Sequence, residues 1–130
     1  AGAQFLVSPN LDLETVLFAQ SRDLLHIPGV FTATEIQQAF AAGCRMLKLF
    51  PMDGLANGVM YLKAIRGPFN DVDFIPTGGV SLENIADYAR AGAVAVGLGS
   101  KLVGKQDQPS HELTARAQAL RDAWDRAKHA

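Results

Sequence analysis

The sequence predicts an α/β protein of the (β/α)8 TIM-barrel class, to which this chain contributes strands 4–8 and their helices. Five short apolar runs recur along the 130 residues, and each is followed by a turn and then a helical pattern. The last two turns carry pairs of glycines, as do the phosphate-binding loops after the last two strands of many such barrels. Residues 1–130 are therefore interpreted as one domain fragment, the C-terminal five βα units of an incomplete barrel.

The five apolar runs predict strands of a parallel sheet that is buried on both faces. The first βα turn, Ser8-Pro9-Asn10, has no glycine-rich dinucleotide fingerprint, which argues against a Rossmann domain. A whole barrel has about 200 residues or more, so we expect its first three units to be absent from this chain. A complete open sheet of five strands, with its edges covered by another copy, is the alternative. The predicted strands are Gln4–Val7, Leu24–Ile27, Met46–Phe50, Phe74–Pro76 and Ala93–Leu98.

Three side chains are expected to cap helices by accepting hydrogen bonds from free backbone N–H groups. Asp12 and Ser81 each precede a helical pattern, and Thr32 with Glu35 matches the capping-box spacing. The stretch Ser110–Lys128 has apolar residues three and four positions apart, which predicts an amphipathic terminal helix.

The composition excludes several functional classes. Hydrophobic residues make up 48% and charged residues 19% of the chain, which is typical of a globular domain. The net charge of −1 offers no basic surface for nucleic acid, and no apolar run approaches the roughly 18 residues that span a membrane. The single cysteine, Cys44, is expected to be a buried thiol. We expect a cytoplasmic protein without a metal site, because no His, Cys, Asp and Glu residues have ligand spacing.

Lys48 is the residue that most directly suggests chemistry. It alternates with Leu47 and Leu49 in a predicted strand, so it points to the opposite face from both leucines. If the leucines pack on helices, Lys48 points into the barrel, where apolar surroundings disfavour the charged ammonium form. A neutral amine can attack a ketone and form a Schiff base. In isolation the pattern better fits a rim lysine that reaches water, but the glycine loops favour the reactive interpretation.

The two glycine loops predict a phosphate site. In Thr77–Gly79 and in Gly97–Ser100, the missing side chains let the backbone approach an anion, and the following helix starts supply free N–H groups. One such loop alone would fit a tight turn that needs positive φ. Two loops on consecutive final strands favour phosphate binding.

Two further polar residues lie close to this region in the sequence. His26 falls inside a predicted strand and is interpreted as a core or rim histidine with a backbone partner. Asp53, just beyond the Lys48 strand, is expected to have a loop or cap role, with proton transfer as the alternative.

At these motifs the chain resembles the 2-keto-3-deoxy-6-phosphogluconate (KDPG) / 4-hydroxy-2-oxoglutarate (KHG) aldolase family. The resemblance runs in order through nearly the whole chain except the C-terminal helix. The matching segments are Gly2–Pro9, Ile27–Val30, Leu47–Pro51, Lys63–Phe69, Pro76–Val80 and Gly99–Ser100.

The resemblance implies a class I aldolase that cleaves KDPG to pyruvate and glyceraldehyde 3-phosphate, KHG to pyruvate and glyoxylate, or both. Lys48 matches the family's Schiff-base lysine, and no cofactor or metal is needed. Pro9, Phe50 and Thr77 match residues of the pyruvate pocket. The phosphate-binding loops are matched by Gly78, Gly79, Gly99 and Ser100. The family is usually a homotrimer.

Two features depart from the family pattern. The general-base glutamate and the arginine that holds the pyruvate carboxylate would lie upstream of Ala1, so this chain alone is expected to be weak or inert. The loop Phe50–Gly58 is longer than the usual family turn, which leaves the preferred keto-acid open. The alternatives are a non-catalytic barrel that binds a phosphate ligand, and another phosphate-binding barrel of the isomerase or synthase type.

Overall fold

Short parallel strands are interspersed with helices from Phe5 to Pro76, and the last three elements of the described chain are helices. The structure is a computed structural model and describes residues 2–104 and 109–129. The strands are β1 (Phe5–Val7), β2 (Leu25–Ile27), β3 (Gly29–Val30), β4 (Met46–Leu49) and β5 (Asp73–Pro76). The helices are α1 (Leu13–Gln20), α2 (Ala33–Ala41), α3 (Gly58–Arg66), α4 (Ile85–Arg90), α5 (Ser100–Val103) and α6 (Ser110–Lys128).

All strand pairs are parallel, and neighbours in space follow the order of the chain. β1 pairs with β2, while β3, β4 and β5 pair in that order. Only Pro28 separates β2 from β3, and proline has no N–H to donate to a ladder. Its carbonyl still accepts a 2.9 Å hydrogen bond from the Lys48 N–H, which links the two halves of the sheet. The predicted α/β class with parallel strands is confirmed. In place of the single predicted strand Leu24–Ile27 there are two short strands, β2 and β3, which reach to Val30.

The prediction of a strand over Ala93–Leu98 is wrong. The segment runs beside β5, and one bridge joins Thr77 to Gly97. The Gly97 N–H donates to the Pro76 carbonyl at 2.9 Å, but no continuous ladder forms. Alanine or glycine occupies positions 93, 95 and 97, and both residue types are poor strand formers. Apolar composition therefore predicted the path of this segment but not its pairing.

The hydrophobic core lies between the outer face of the sheet and the helices. Leu47 and Leu49 of β4 are fully buried, and so is Phe74 of β5. Each side chain of this size contributes about 1.5–3 kcal/mol when it is removed from water. The helices complete the core with Ile36, Leu62 and Ile85. The expected outward direction of the two leucines is thus confirmed, as is the buried position of Cys44.

The opposite, inner face of the sheet is open at its β1 edge. Phe5 and Leu25 are paired in register, and their side chains are 54% and 50% exposed. Val7, two residues beyond Phe5, is 52% exposed. Residues that pair across parallel strands share a face, and so do residues two positions apart. The inner face therefore presents apolar side chains that a closed barrel would cover.

Two of the three expected helix caps are present. The Asp12 carboxylate accepts from the Thr15 N–H at the start of α1, and Thr32 with Glu35 forms a complete capping box on α2. The Ser81 prediction is wrong, because α4 begins only at Ile85. The Ser81 N–H donates to the Asn84 side chain at 2.9 Å.

Helix α6 closes the end of the described chain. Its Leu120 is buried, and Lys128 donates from Nζ to the Ala93 carbonyl at 2.6 Å. Within the described ranges, no helix is long and apolar enough to cross a membrane. The same ranges contain no cluster of three or more His, Cys, Asp or Glu residues that could hold a metal ion.

Candidate active site

Lys48 lies on the inner face of the sheet, in the middle of the described strands. Its neighbours Leu47 and Leu49 are fully buried on the outer face, while the Lys48 side chain is half-buried. The ammonium nitrogen lies 4.4 Å from the centroid of the Phe50 ring, two residues along the same face. The aromatic face attracts the cation and shields it on one side from water. The amine is therefore held against an apolar wall rather than extended into solvent.

Gly29 lies directly beside Lys48, and the Pro9 backbone packs on Gly29. Gly29 pairs with Lys48 in the parallel register of β3 and β4. A Cβ atom on Gly29 would lie 2.2 Å from both the carbonyl carbon and oxygen of Pro9. Glycine is thus required here because the backbone of the β1–α1 turn crosses over it. Gly29 thus contacts the turn of the predicted rim residue Pro9 and is the register partner of the predicted catalytic Lys48.

Gly29→Ala is expected to displace the Pro9 turn and weaken binding at the inner face. The clash is with backbone atoms, which cannot rotate away as a side chain can, so overpacking of about 1–3 kcal/mol is expected. Denaturant unfolding would measure the loss of stability. The control is Gly54→Ala, because no atom lies within 4 Å of a Cβ at Gly54. Equal stability of the two variants would contradict the close approach.

Pro9 and Phe50 also line a common cavity of about 500 Å³ at the carboxyl ends of β1, β3 and β4. Lys48 is not among the residues that line this cavity. A second cavity, of about 600 Å³, lies between α3 and α4 and touches Gly79. The second cavity is outside the sheet and contains none of the residues predicted to bind pyruvate.

Thr77 continues the inner face beyond β5. Ile75 pairs with Lys48, and Thr77 follows it by two residues, so their side chains share the inner face. The Thr77 hydroxyl donates to the Ile75 carbonyl at 3.2 Å. A Cβ atom on Gly97 would lie 2.4 Å from the Thr77 Oγ1, so Gly97 leaves the space that this side chain fills.

Gly78 and Gly79 form the turn after β5 with φ angles of +97° and +66°. Both angles lie in the left-handed region that favours glycine. The segment that contains Asp53 packs against this turn: a Cβ on Gly78 would lie 3.0 Å from the Asp53 Oδ1, and one on Gly79 would lie 3.1 Å from the Asp53 Cα. Asn84 donates from its side chain to the Gly79 carbonyl and fixes the turn from the other side. An anion at this turn would have to bind away from the Asp53 carboxylate.

Gly99 and Ser100 form the other predicted phosphate loop. Gly99 precedes the four-residue helix α5, and its carbonyl accepts from the Leu102 N–H at 2.9 Å. Both residues are exposed. The bridge between Thr77 and Gly97 brings the two glycine loops to the same edge of the sheet. Their joint binding of phosphate stays a prediction.

His26 has a side-chain partner where sequence reasoning expected a backbone one. The ring is 6% exposed, and its Nε2 lies 2.8 Å from the Ser8 Oγ. The Nδ1 atom is buried without a hydrogen-bond partner. Burial lowers the pKa of His26, and the nearby Asp12 carboxylate acts in the opposite direction. The contact joins residues 18 positions apart, so local periodicity could not identify it.

The stability of the fold is expected to fall as the pH drops from 7 towards 5. The pKa of His26 is lower in the folded chain than its ordinary value of 6.5, so the unfolded chain binds the proton more readily. The stabilising contribution is present above about pH 6.5 and is lost as the pH falls through the folded pKa. Thermal unfolding at several pH values would measure this, with His26→Gln as the variant that removes the titration. An unchanged pH slope in this variant would contradict the assignment.

Comparison with known proteins identifies the family. A family model described as KDPG and KHG aldolase matches residues 1–117. The chain belongs to the KDPG/KHG aldolase family.

Two family members illustrate the extent of the match. The 2-dehydro-3-deoxy-phosphogluconate aldolase of Pseudomonas aeruginosa is 48% identical over 88 residues, which cover 68% of this chain and 40% of that protein. The crystal structure of the 4-hydroxy-2-oxoglutarate/2-dehydro-3-deoxyphosphogluconate aldolase from TTHB1 has a TM-score of 0.84 at 38% identity. That similarity covers 95% of this chain and 60% of that one. The chain thus spans between two-fifths and three-fifths of the length of these relatives.

A third relative has been captured with a covalently bound keto-acid. The KDPG aldolase of Legionella pneumophila was crystallised with pyruvate as a covalent carbinolamine intermediate. It has a TM-score of 0.78 and 31% identity, and the match covers 94% of this chain and 59% of that one.

Proposed function

We propose that this chain is the lysine-bearing part of a class I aldolase that cleaves KDPG, KHG or both to pyruvate and an aldehyde. The observation that carries the proposal is the position of Lys48, whose amine lies on the inner face against Phe50 and beside the Pro9 turn. Family membership and the carbinolamine in the Legionella relative support it. The aldehyde is glyceraldehyde 3-phosphate from KDPG and glyoxylate from KHG.

The chemistry requires only the amine and a base. The Lys48 nitrogen attacks the C2 carbonyl of the keto-acid, water leaves, and a protonated imine forms. A base takes the proton of the C4 hydroxyl, the C3–C4 bond breaks, and its electron pair moves into the imine to give an enamine. The aldehyde departs, the enamine takes a proton at carbon, and hydrolysis releases pyruvate and the free lysine. No cofactor or metal takes part in this sequence.

The other site residues are assigned as the resemblance implies. Pro9, Phe50 and Thr77 would line the pyruvate pocket. The Phe50 ring against the Lys48 amine, and Thr77 two residues after the register partner of Lys48, support this. The phosphoryl group would bind between the two glycine loops, where backbone N–H groups are donors. These loop residues are Gly78, Gly79, Gly99 and Ser100.

The active protein is proposed to be a closed (β/α)8 barrel in which this chain forms strands 4–8. The open β1 edge and the exposed Phe5, Val7 and Leu25 support the addition of three further units. Those units would bring the general-base glutamate and the carboxylate-binding arginine. By resemblance the barrels assemble as a homotrimer, and the exposed Leu17 and Phe18 of α1 offer one apolar surface for this.

Reductive trapping tests the proposed chemistry. We expect borohydride to fix pyruvate on the protein, with an increase in mass on the peptide that contains Lys48. Lactate, which has no ketone, is the matched control ligand and should leave the mass unchanged. The proposal fails if no adduct forms either on this chain or on this chain combined with the three further units proposed above.

A further inference from the structure

We propose that His26 is a positioning residue that holds the Ser8-Pro9-Asn10 turn over Gly29, beside Lys48. The proposal concerns the turn that rims the pyruvate pocket, so its consequence for catalysis rests on the proposed aldolase function. The positioning itself rests only on contacts within this chain.

The contacts form a continuous chain of hydrogen bonds from the histidine to the turn. The His26 Nε2 lies 2.8 Å from the Ser8 Oγ. The Ser8 hydroxyl donates to the Asn10 carbonyl at 3.1 Å. That carbonyl also accepts from the Gly29 N–H at 3.1 Å. The turn is thus fixed at both ends, and Pro9 lies between them.

The hydroxyl of Ser8 has a single proton, and this decides the tautomer of the histidine. Because that proton goes to the Asn10 carbonyl, the Ser8 oxygen is left as the acceptor for His26. If both hydrogen bonds form together, His26 carries its proton on Nε2, and Nδ1 is then the buried lone pair without a partner among the described residues. An unpaired buried acceptor has a free-energy cost that a leucine in the same place would avoid. The hydrogen bond between His26 and Ser8 offsets the free-energy cost of the unpaired Nδ1.

The turn has little freedom once this bond is made. Gly29 provides the space that the Pro9 backbone occupies, because a Cβ atom added at Gly29 would lie 2.2 Å from the Pro9 carbonyl. Gly29 is also the register partner of Lys48. A shift of the turn would therefore change the distance between Pro9 and the amine directly.

Amide hydrogen exchange measured by NMR tests the positioning in this chain as it stands. In His26→Leu, the Gly29 N–H is expected to exchange roughly two- to tenfold faster, which corresponds to the loss of one hydrogen bond. The Lys48 and Phe50 amides, which bond to the Pro28 and Val30 carbonyls, are the internal controls and should not change. His26→Gln, whose amide nitrogen can replace Nε2 as donor, should restore slow exchange.

Ser8→Ala is the second variant. It removes the hydroxyl that contacts His26 and adds no bulk beside the buried ring. It should reproduce the faster exchange at Gly29, and the double variant with His26→Leu should add nothing further. A uniform change at all amides, no change at Gly29, or additive effects would overturn the proposal.

Pyruvate trapping then tests the consequence for the site. The pyruvate concentration for half-maximal trapping is expected to rise in Ser8→Ala, while the maximal extent stays the same. If wild-type protein is never trapped, the aldolase function fails, whereas the exchange result still decides the role of His26.

Discussion

Lys48→Met is expected to abolish borohydride trapping of pyruvate completely. Methionine has nearly the length of lysine and can still lie against Phe50, but it has no amine to attack the ketone. The substitution removes the reactive group and retains the apolar contact. Intact-mass measurement after reduction would show the loss, and thermal unfolding would check that the fold is unchanged.

The matched control for this experiment is Lys63→Met. Lys63 is an exposed lysine on α3 and lies outside the inner face, so its removal should leave trapping unchanged. Lys48→Arg adds a second test, because the guanidinium keeps the positive charge but does not form an imine. Persistent trapping in either Lys48 variant would assign the chemistry to another amine and remove the basis of the proposed mechanism.

Addition of the first three βα units of a family member is expected to raise the rate of KDPG cleavage by about 10²–10⁴-fold. This is the contribution that a positioned general acid–base group typically makes. The open edge at β1 and the exposed inner-face side chains give the added units an apolar surface to cover. A coupled assay for pyruvate would measure the rate with the two polypeptides mixed or fused.

The same three units with the strand-borne glutamate replaced by glutamine provide the control. They should associate with this chain and raise its stability, yet leave cleavage near the rate of the chain alone. If both versions accelerated cleavage equally, the base would lie within the present chain, and Asp53 would be the first residue to examine.

The central strand and its lysine could be predicted from the sequence because their signal is local. Leucines at alternate positions around Lys48 determine which face each residue occupies, and β4 has that arrangement. The capping box on α2 is equally local, with its two partners three residues apart. Such patterns depend only on strand and helix periodicity, which the chain carries along its length.

The need for glycine at positions 29 and 97 could not be predicted in the same way. Gly29 is required by the backbone of Pro9, and Gly97 by the side chain of Thr77, each about 20 residues away in the chain. The predicted strand at 93–98 failed for a related reason, because apolar content indicates burial but not partners. The His26–Ser8 contact also depends on the packed tertiary structure.

The close fit between Thr77 and Gly97 has a consequence for how this region can vary among related sequences. The two positions share one small volume, so a larger residue at 97 is acceptable only when residue 77 becomes smaller. We expect changes at these positions to be compensatory, with each single replacement more harmful than the pair. A threonine at position 77 would thus be retained only in sequences that also keep glycine at position 97.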